Sequence, residues 1–153
     1  MNKTALDELV GESTDPRVFH GLSDALGTTN LALNYHERAP GESIGYCYHR
    51  HHEQEEVFYV LTGTATFDTE DGEVSVETGE LIRFAPGEWQ RGWNRGDDRL
   101  GVLALGAPRE QGPTDLRREC PACGERTPAI AEQTVGGVVF SCDNCGAETG
   151  RYD

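Results

Sequence analysis

YHRHHEQEEVFYVLTG, running from Tyr48 to Gly63, decides how the rest of the chain is read. Three histidines and three glutamates crowd the part up to Glu56, and a run of strand-forming residues ending at a glycine follows. In an extended strand alternate side chains share a face. His49 and His51 therefore point one way, with Cys47 on their side, while Arg50 and His52 point the other. A tight turn through His52 to Glu55 returns the chain, and Glu56 at the head of EVFYVLTG brings a carboxylate back toward the two imidazoles. Two neutral imidazoles and one carboxylate, with coordination positions left open, suit Fe(II), Mn(II), Ni(II) or Zn(II). The competing reading is a charged surface corner in which histidines balance nearby glutamates.

Outward from this stretch, residues from Val18 to about Leu105 read as short strands punctuated by turns. Two extended segments flank the Ala39-Pro40-Gly41-Glu42 turn. Asp71-Gly72 separates the alternating runs TATFDT and EVSVE and predicts a two-residue hairpin loop there. RLGVLALGAP makes a last apolar strand closed by Gly106 and Pro108. Many short strands, Gly and Pro corners and no long helical period predict an all-β sandwich or barrel over 17–108. Tyr46, Tyr48, Phe58, Phe84, Trp89 and Trp93 fit the barrel core or its mouth. Residues 1–16 read as an arm in which Leu6, Leu9 and Val10 are placed to cover a barrel opening. REQGPTDLRRE is polar and predicts a linker over 109–118, ahead of a cysteine-bearing unit over 119–153.

The barrel segment resembles the cupin superfamily. His49-x-His51, four residues, Glu56, six residues and Gly63 match its first signature motif, and GELIRFAPGEWQRGWN, from Gly79 through Pro86-Gly87 to Asn94, matches its second. The resemblance implies a double-stranded β-helix, or jelly-roll barrel, with His49, His51 and Glu56 as metal ligands, and it is compatible with a homodimer. Ser43 stands where the first motif usually opens with glycine. Gln90 stands where many cupins place a fourth, histidine ligand, and a glutamine carbonyl is a neutral and weak donor. Gln90 is thus carried over as a fourth ligand of low affinity or as a hydrogen-bond partner of water on the metal. Tyr48, Trp89 and Arg83 are the candidate pocket residues, and Arg83 and Arg91 are weighed as holders of a substrate carboxylate against ordinary surface arginines. Cys47 reads as a buried core thiol, His52 as a solvated or supporting group, and His20 and His36 as structural.

The C-terminal cysteines form two copies of one element, Cys120-x-x-Cys123-Gly124 and Cys142-x-x-Cys145-Gly146, with eighteen residues between the pairs. Each loop turns two thiolates toward a single ion, and four sulfurs make a closed tetrahedral set favouring structural Zn(II). The spacing resembles a zinc ribbon, with AIAEQTVGGVVFS supplying two strands around Gly136-Gly137. Redox use of the pairs is the weaker alternative.

Charge bounds the partners. The formal net charge is −14 and Lys3 is the single lysine. Such a surface repels a phosphate backbone and argues against nucleic acid. It also resembles proteins of salt-loving archaea, although an acidic protein from a mesophile shares the balance. No apolar window is long enough for a membrane span, and the N-terminus lacks a signal-peptide core, so the expected location is the cytoplasm. Two functions follow. One is a metal-dependent enzyme acting on a small molecule by dioxygenation, isomerisation or related chemistry. The other is a non-catalytic metabolite- or metal-sensing module whose ribbon contacts a protein partner, a second copy or the barrel itself.

Overall fold

Alternating apolar residues and glycine corners give thirteen strands in the described residues, 1–10 and 13–153, of a computed structural model. In chain order they are β1 (Arg17–Gly21), β2 (Ala32–Arg38), β3 (Tyr48–His51), β4 (Glu55–Thr62), β5 (Thr64–Thr69), β6 (Gly72–Glu77), β7 (Leu81–Phe84), β8 (Gln90–Trp93), β9 (Leu100–Ala107), β10 (Thr114–Cys120), β11 (Glu125–Thr134), β12 (Gly137–Cys142) and β13 (Glu148–Tyr152). Two short helices, α1 (Leu6–Val10) and α2 (Ser23–Leu26), precede and follow β1. No described helix is long and apolar enough to cross a membrane.

The strands form two sheets, in the orders β1-β2-β9-β4-β7 and β13-β12-β11-β10-β3-β8-β5-β6, and every pairing is antiparallel. The first nine strands make the jelly-roll barrel. Its inner faces follow the period of two: Val102 and Ala104 on β9, Phe58 and Val60 on β4, and Ala65 and Phe67 on β5 are buried, with Phe84 and Ile44 beside them. Phe58, Phe67 and Phe84 meet at centroid distances of 4.9, 5.3 and 6.1 Å, an aromatic cluster filling one end of the barrel. Burial of such rings supplies most of what a domain this small can gain against chain entropy.

Three expectations change in the structure. The β5–β6 hairpin pairs Thr69 with Gly72, so its two loop residues are Glu70-Asp71 and Gly72 opens the next strand. The Thr69 hydroxyl sets this register by accepting from the Asp71 N–H (3.2 Å) and donating to the Gly72 carbonyl (2.8 Å). The segment expected as a linker over 109–118 is strand from Thr114 onward. Its backbone pairs with β3, Thr114 opposite His51 and Leu116 opposite His49, because the alternation in TDLRREC outweighs its polar composition. The ribbon sheet is therefore a continuation of a barrel sheet. In the arm, Leu6 is half-buried and Leu9 exposed, while the Val10 side chain, Gly11 and Glu12 lie outside the described residues. Asn2 Nδ2 donates to the Leu26 carbonyl (2.9 Å), tying the arm to α2.

Candidate metal centre

Strand β3 presents His49 and His51 on its inner face, and β4, returning after a three-residue turn, presents Glu56 against them. The His49 and His51 Nε2 atoms lie 3.5 and 3.3 Å from Glu56 Oε2, and one donor atom from each of the three residues falls within 4.8 Å of the others. Each imidazole is oriented from behind. His49 Nδ1 sits 3.1 Å from the Cys47 carbonyl, which only accepts, so this nitrogen carries the proton. His51 Nδ1 sits 2.9 Å from Thr114 Oγ1. The Thr114 hydroxyl in turn donates to the Gly112 carbonyl (3.2 Å), so it accepts from His51. Both Nε2 lone pairs then face the Glu56 carboxylate.

Three acceptors converging in a half-buried place need cations or donors between them. Gln90 meets part of this need, since its Nε2 lies 2.8 Å from Glu56 Oε2 and 3.0 Å from His49 Nε2. Burial raises the Glu56 carboxyl, and an N–H or positive charge at the His49 and His51 Nε2 positions is what brings it down to about 2; with both rings protonated on Nδ1, a cation between them is left to play that part. An ionised carboxylate beside two unprotonated ring nitrogens fits a divalent cation. Turning the Gln90 amide about its last bond would offer its oxygen to the same point.

The cysteine set fits a metal on equally geometric grounds. Zinc–sulfur bonds of about 2.3 Å in a tetrahedron imply sulfur–sulfur edges near 3.8 Å. Cys120 and Cys145 sulfurs are 3.6 Å apart and Cys123 and Cys142 sulfurs 3.9 Å. Gly124 and Gly146 follow each pair with φ of 73° and 76°, and their N–H groups return to the Cys120 and Cys142 carbonyls at 2.9 and 2.8 Å. Only a glycine takes that left-handed turn without strain. The Thr127 hydroxyl beside Cys142 brings this thiol down to about 6, while hydrogen bonding to Cys145 and Cys120 pushes Cys123 up to about 12. Four thiolates this close need a shared cation to ionise together.

The histidine–glutamate face opens into a cleft of about 430 Å³, one wall of which is made by the ribbon strands that extend the same sheet. Leu116 on β10, Ala131 and Gln133 on β11, and Val138 and Phe140 on β12 all line it together with His49, His51 and Glu56. Arg118 anchors this wall. Its guanidinium donates to the Thr149 carbonyl (2.9 Å) and the Tyr152 hydroxyl (2.9 Å) of the ribbon and to the Tyr46 carbonyl of the barrel. Gly150 leaves the space that this guanidinium occupies, and a Cβ there would collide with it.

The expected pocket residues lie elsewhere. Tyr48 neighbours His49 and so faces outward, stacked on Trp89 at 5.2 Å under the guanidiniums of Arg50, Arg117 and Arg126. Arg83 is exposed and pairs with Glu55 (2.6 Å). Arg91, next to Gln90, points to the outer face and lies over Trp93 (4.1 Å). All four are displaced by the same strand alternation that placed His49 and Gln90. Cys47 is buried among the cleft walls, and burial pushes its thiol up, against the opposing influence of Arg118. His52 bonds Asp115 (3.0 Å) on the outside. His36 lies opposite Val102 on the inner face of β2, and its Nδ1 accepts from Arg38 (2.9 Å). Burial and then the Arg38 charge hold it down to about 3, so it is a neutral interior group. Sequence reading missed Thr114 and the ribbon wall, and the only signal for either was the alternation running into the first cysteine.

Residues 34–106 match the family model of the cupin domain. No curated protein matches the sequence. Among solved structures the chain is similar to a sugar phosphate isomerase of the cupin superfamily from Silicibacter pomeroyi (TM-score 0.64, 20% identity, covering 88% of this chain and 84% of that one). It is similar to a conserved protein with a double-stranded β-helix domain from Klebsiella pneumoniae (TM-score 0.62, 20% identity, 76% and 96%). It is also similar to an oxalate oxidase in complex with the substrate analogue glycolate (TM-score 0.52, 16% identity, 65% and 55%). Over residues 34–106 the barrel thus carries a match to the cupin domain, and at these identities the structural likeness speaks for the fold.

Proposed function

We propose that this protein is a metal-dependent cupin that acts on a small molecule in the cleft between barrel and ribbon. The observation that carries this reading is the convergence of two Nε2 lone pairs and an ionised carboxylate, with both imidazole tautomers set by Cys47 and Thr114. A divalent iron, manganese, nickel or zinc ion bound there supplies Lewis-acid or redox chemistry at positions the three ligands leave open. The chain's own residues do the rest. Thr114 and the Cys47 carbonyl orient the rings, Gln90 holds Glu56 in place, and the ribbon strands shut bulk water out of one side. Isomerase and oxidase names both occur among proteins of this fold, so the fold does not choose the reaction. The cysteine set is proposed as a structural zinc site, closed to substrate.

The substitution of glutamine for a fourth imidazole favours a second reading, a binding or sensing module without turnover. Reconstitution separates the two. Protein loaded with Mn(II) or Fe(II) is offered a panel of hydroxy acids, ketoses and enediols in deuterated buffer, with dioxygen uptake and carbon-bound deuterium followed together. Turnover that disappears in His49→Ala supports the enzyme. Ligand binding that disappears in His49→Ala with no turnover anywhere in the panel supports the binding module.

A further inference from the structure

The cleft is two-sided in its chemistry. One part of its lining carries the proposed metal ligands, and the adjoining part is a face of the β11–β12 hairpin, which continues the sheet of β3 through β10. The register of that hairpin pairs Ala131 with Phe140 and Gln133 with Val138, which puts all four on one face and turns Glu132 and Val139 away. With Leu116, the cross-strand neighbour of His49, this makes a mostly apolar wall beside the imidazoles. Among the described residues lining the cleft there is no arginine or lysine. The nearby guanidiniums are committed elsewhere, Arg118 to anchoring the ribbon wall and Arg109 to Asp24 (2.6 Å) and the Thr28 carbonyl.

We infer that the ribbon is the specificity wall of the barrel site, selecting a small molecule with an oxygen-chelating head and an apolar or aromatic body over phosphorylated or multiply charged substrates. This rests on the metal-binding reading above. A chelating head of two oxygens meets the metal face, and a flat or aliphatic body lies against Val138, Phe140 and Ala131, where apolar surface leaves water on both sides. A phosphate ester would bring two further negative charges beside Glu56 with no cationic side chain to receive them, in a protein that already carries −14. The cleft's volume lies within the roughly 300–1,000 Å³ common for small-molecule sites. The zinc ribbon thereby contributes to recognition by holding two strands in place beside the metal ligands.

The test uses full-length protein with zinc left in the ribbon and Co(II) added to the barrel, read by the visible absorption of the cobalt and referenced to the His49→Ala, His51→Ala double variant. The probes are acetohydroxamate, benzohydroxamate and glycerol 3-phosphate. Benzohydroxamate is expected to bind at least tenfold more tightly than acetohydroxamate, after correction for their ratio on aqueous Co(II), with the phosphate ester weakest. Val138→Arg should cut that preference to near one while leaving acetohydroxamate in place. Gln133→Arg, on the exposed rim, serves as the second variant if Val138→Arg loses its zinc, and is expected to improve phosphate-ester binding. Equal corrected affinities for the two hydroxamates, or a phosphate ester bound more tightly than either, overturns the specificity wall while leaving the metal site standing. Cobalt spectra identical in wild type and double variant overturn the metal reading and this inference with it.

Discussion

The cysteine cluster lies in the ribbon part of the long sheet and the histidines lie mid-sheet on β3, with Glu56 supplied from the other sheet, and the two clusters differ in what surrounds them. The cysteine set draws four like donors from two tight knuckles in a unit with little core of its own, with Phe140 as its one large buried ring. The histidine–glutamate set draws two imidazoles and a carboxylate from two barrel strands that already rest on Phe58, Phe67 and their neighbours. A closed site that completes a fold and an open site carried by a finished fold should respond differently to the same damage. They are also joined, since β10 begins beside His51 and ends at Cys120.

The sharpest way to separate them is Cys142→Ser. Ligation supplies folding free energy to units of this size, on the order of 10 kcal/mol in comparable small zinc peptides. The variant is expected to lose its zinc and become open to proteolysis between about Gly124 and Tyr152 while the barrel stays resistant. A barrel that melts together with the ribbon would merge the two regions into one cooperative unit. Removing the anchor should have the next largest effect. Arg118→Leu deletes charge-assisted bonds to Tyr46, Thr149 and Tyr152, worth about 2–3 kcal/mol between ribbon and barrel. Amide exchange in β12 and β13 is expected to quicken while β4 and β9 stay protected.

Thr114→Val addresses the bridge. It keeps shape but removes the acceptor for His51 Nδ1, and loss of such a supporting partner typically weakens a metal site roughly 10- to 100-fold. The barrel metal is expected to weaken by that factor with the zinc unaffected, as read by competition with a chelator; unchanged affinity would detach β10 from the barrel site. The smallest effect is that of pH on the interior. His36 is held at about 3 in the folded chain against about 6.5 when unfolded, so its neutral form is favoured by folding. That contribution is fully present above the unfolded value and is lost as pH falls from about 6.5 toward 3. His36→Gln, which keeps an acceptor for Arg38, should flatten the decline in stability over that window, measured by denaturant unfolding at stepped pH.

Much of this was legible in the chain. The period of two around His49 and the returning Glu56 placed three side chains on one point, and the repeated Cys-x-x-Cys-Gly element placed four sulfurs on another. The same period, carried one residue further, would have turned Tyr48 and Arg91 outward, and aromatic or cationic character drew them toward the pocket instead. The ribbon wall was hidden for a different reason. Thr114 and Val138 reach the site only through pairing between strands more than sixty residues apart, and a polar stretch with Gly112-Pro113 reads locally as a linker. Long-range register leaves no mark in composition.

The central claim is that one chain holds a closed and an open metal site at once. Elemental mass spectrometry on untagged protein, purified in high salt and resupplied with manganese and iron, tests it most directly beside the His49→Ala, His51→Ala double variant. The account predicts one zinc in both proteins and a second metal, near one per chain, in the wild type alone. The same metal content in both after resupply would contradict it.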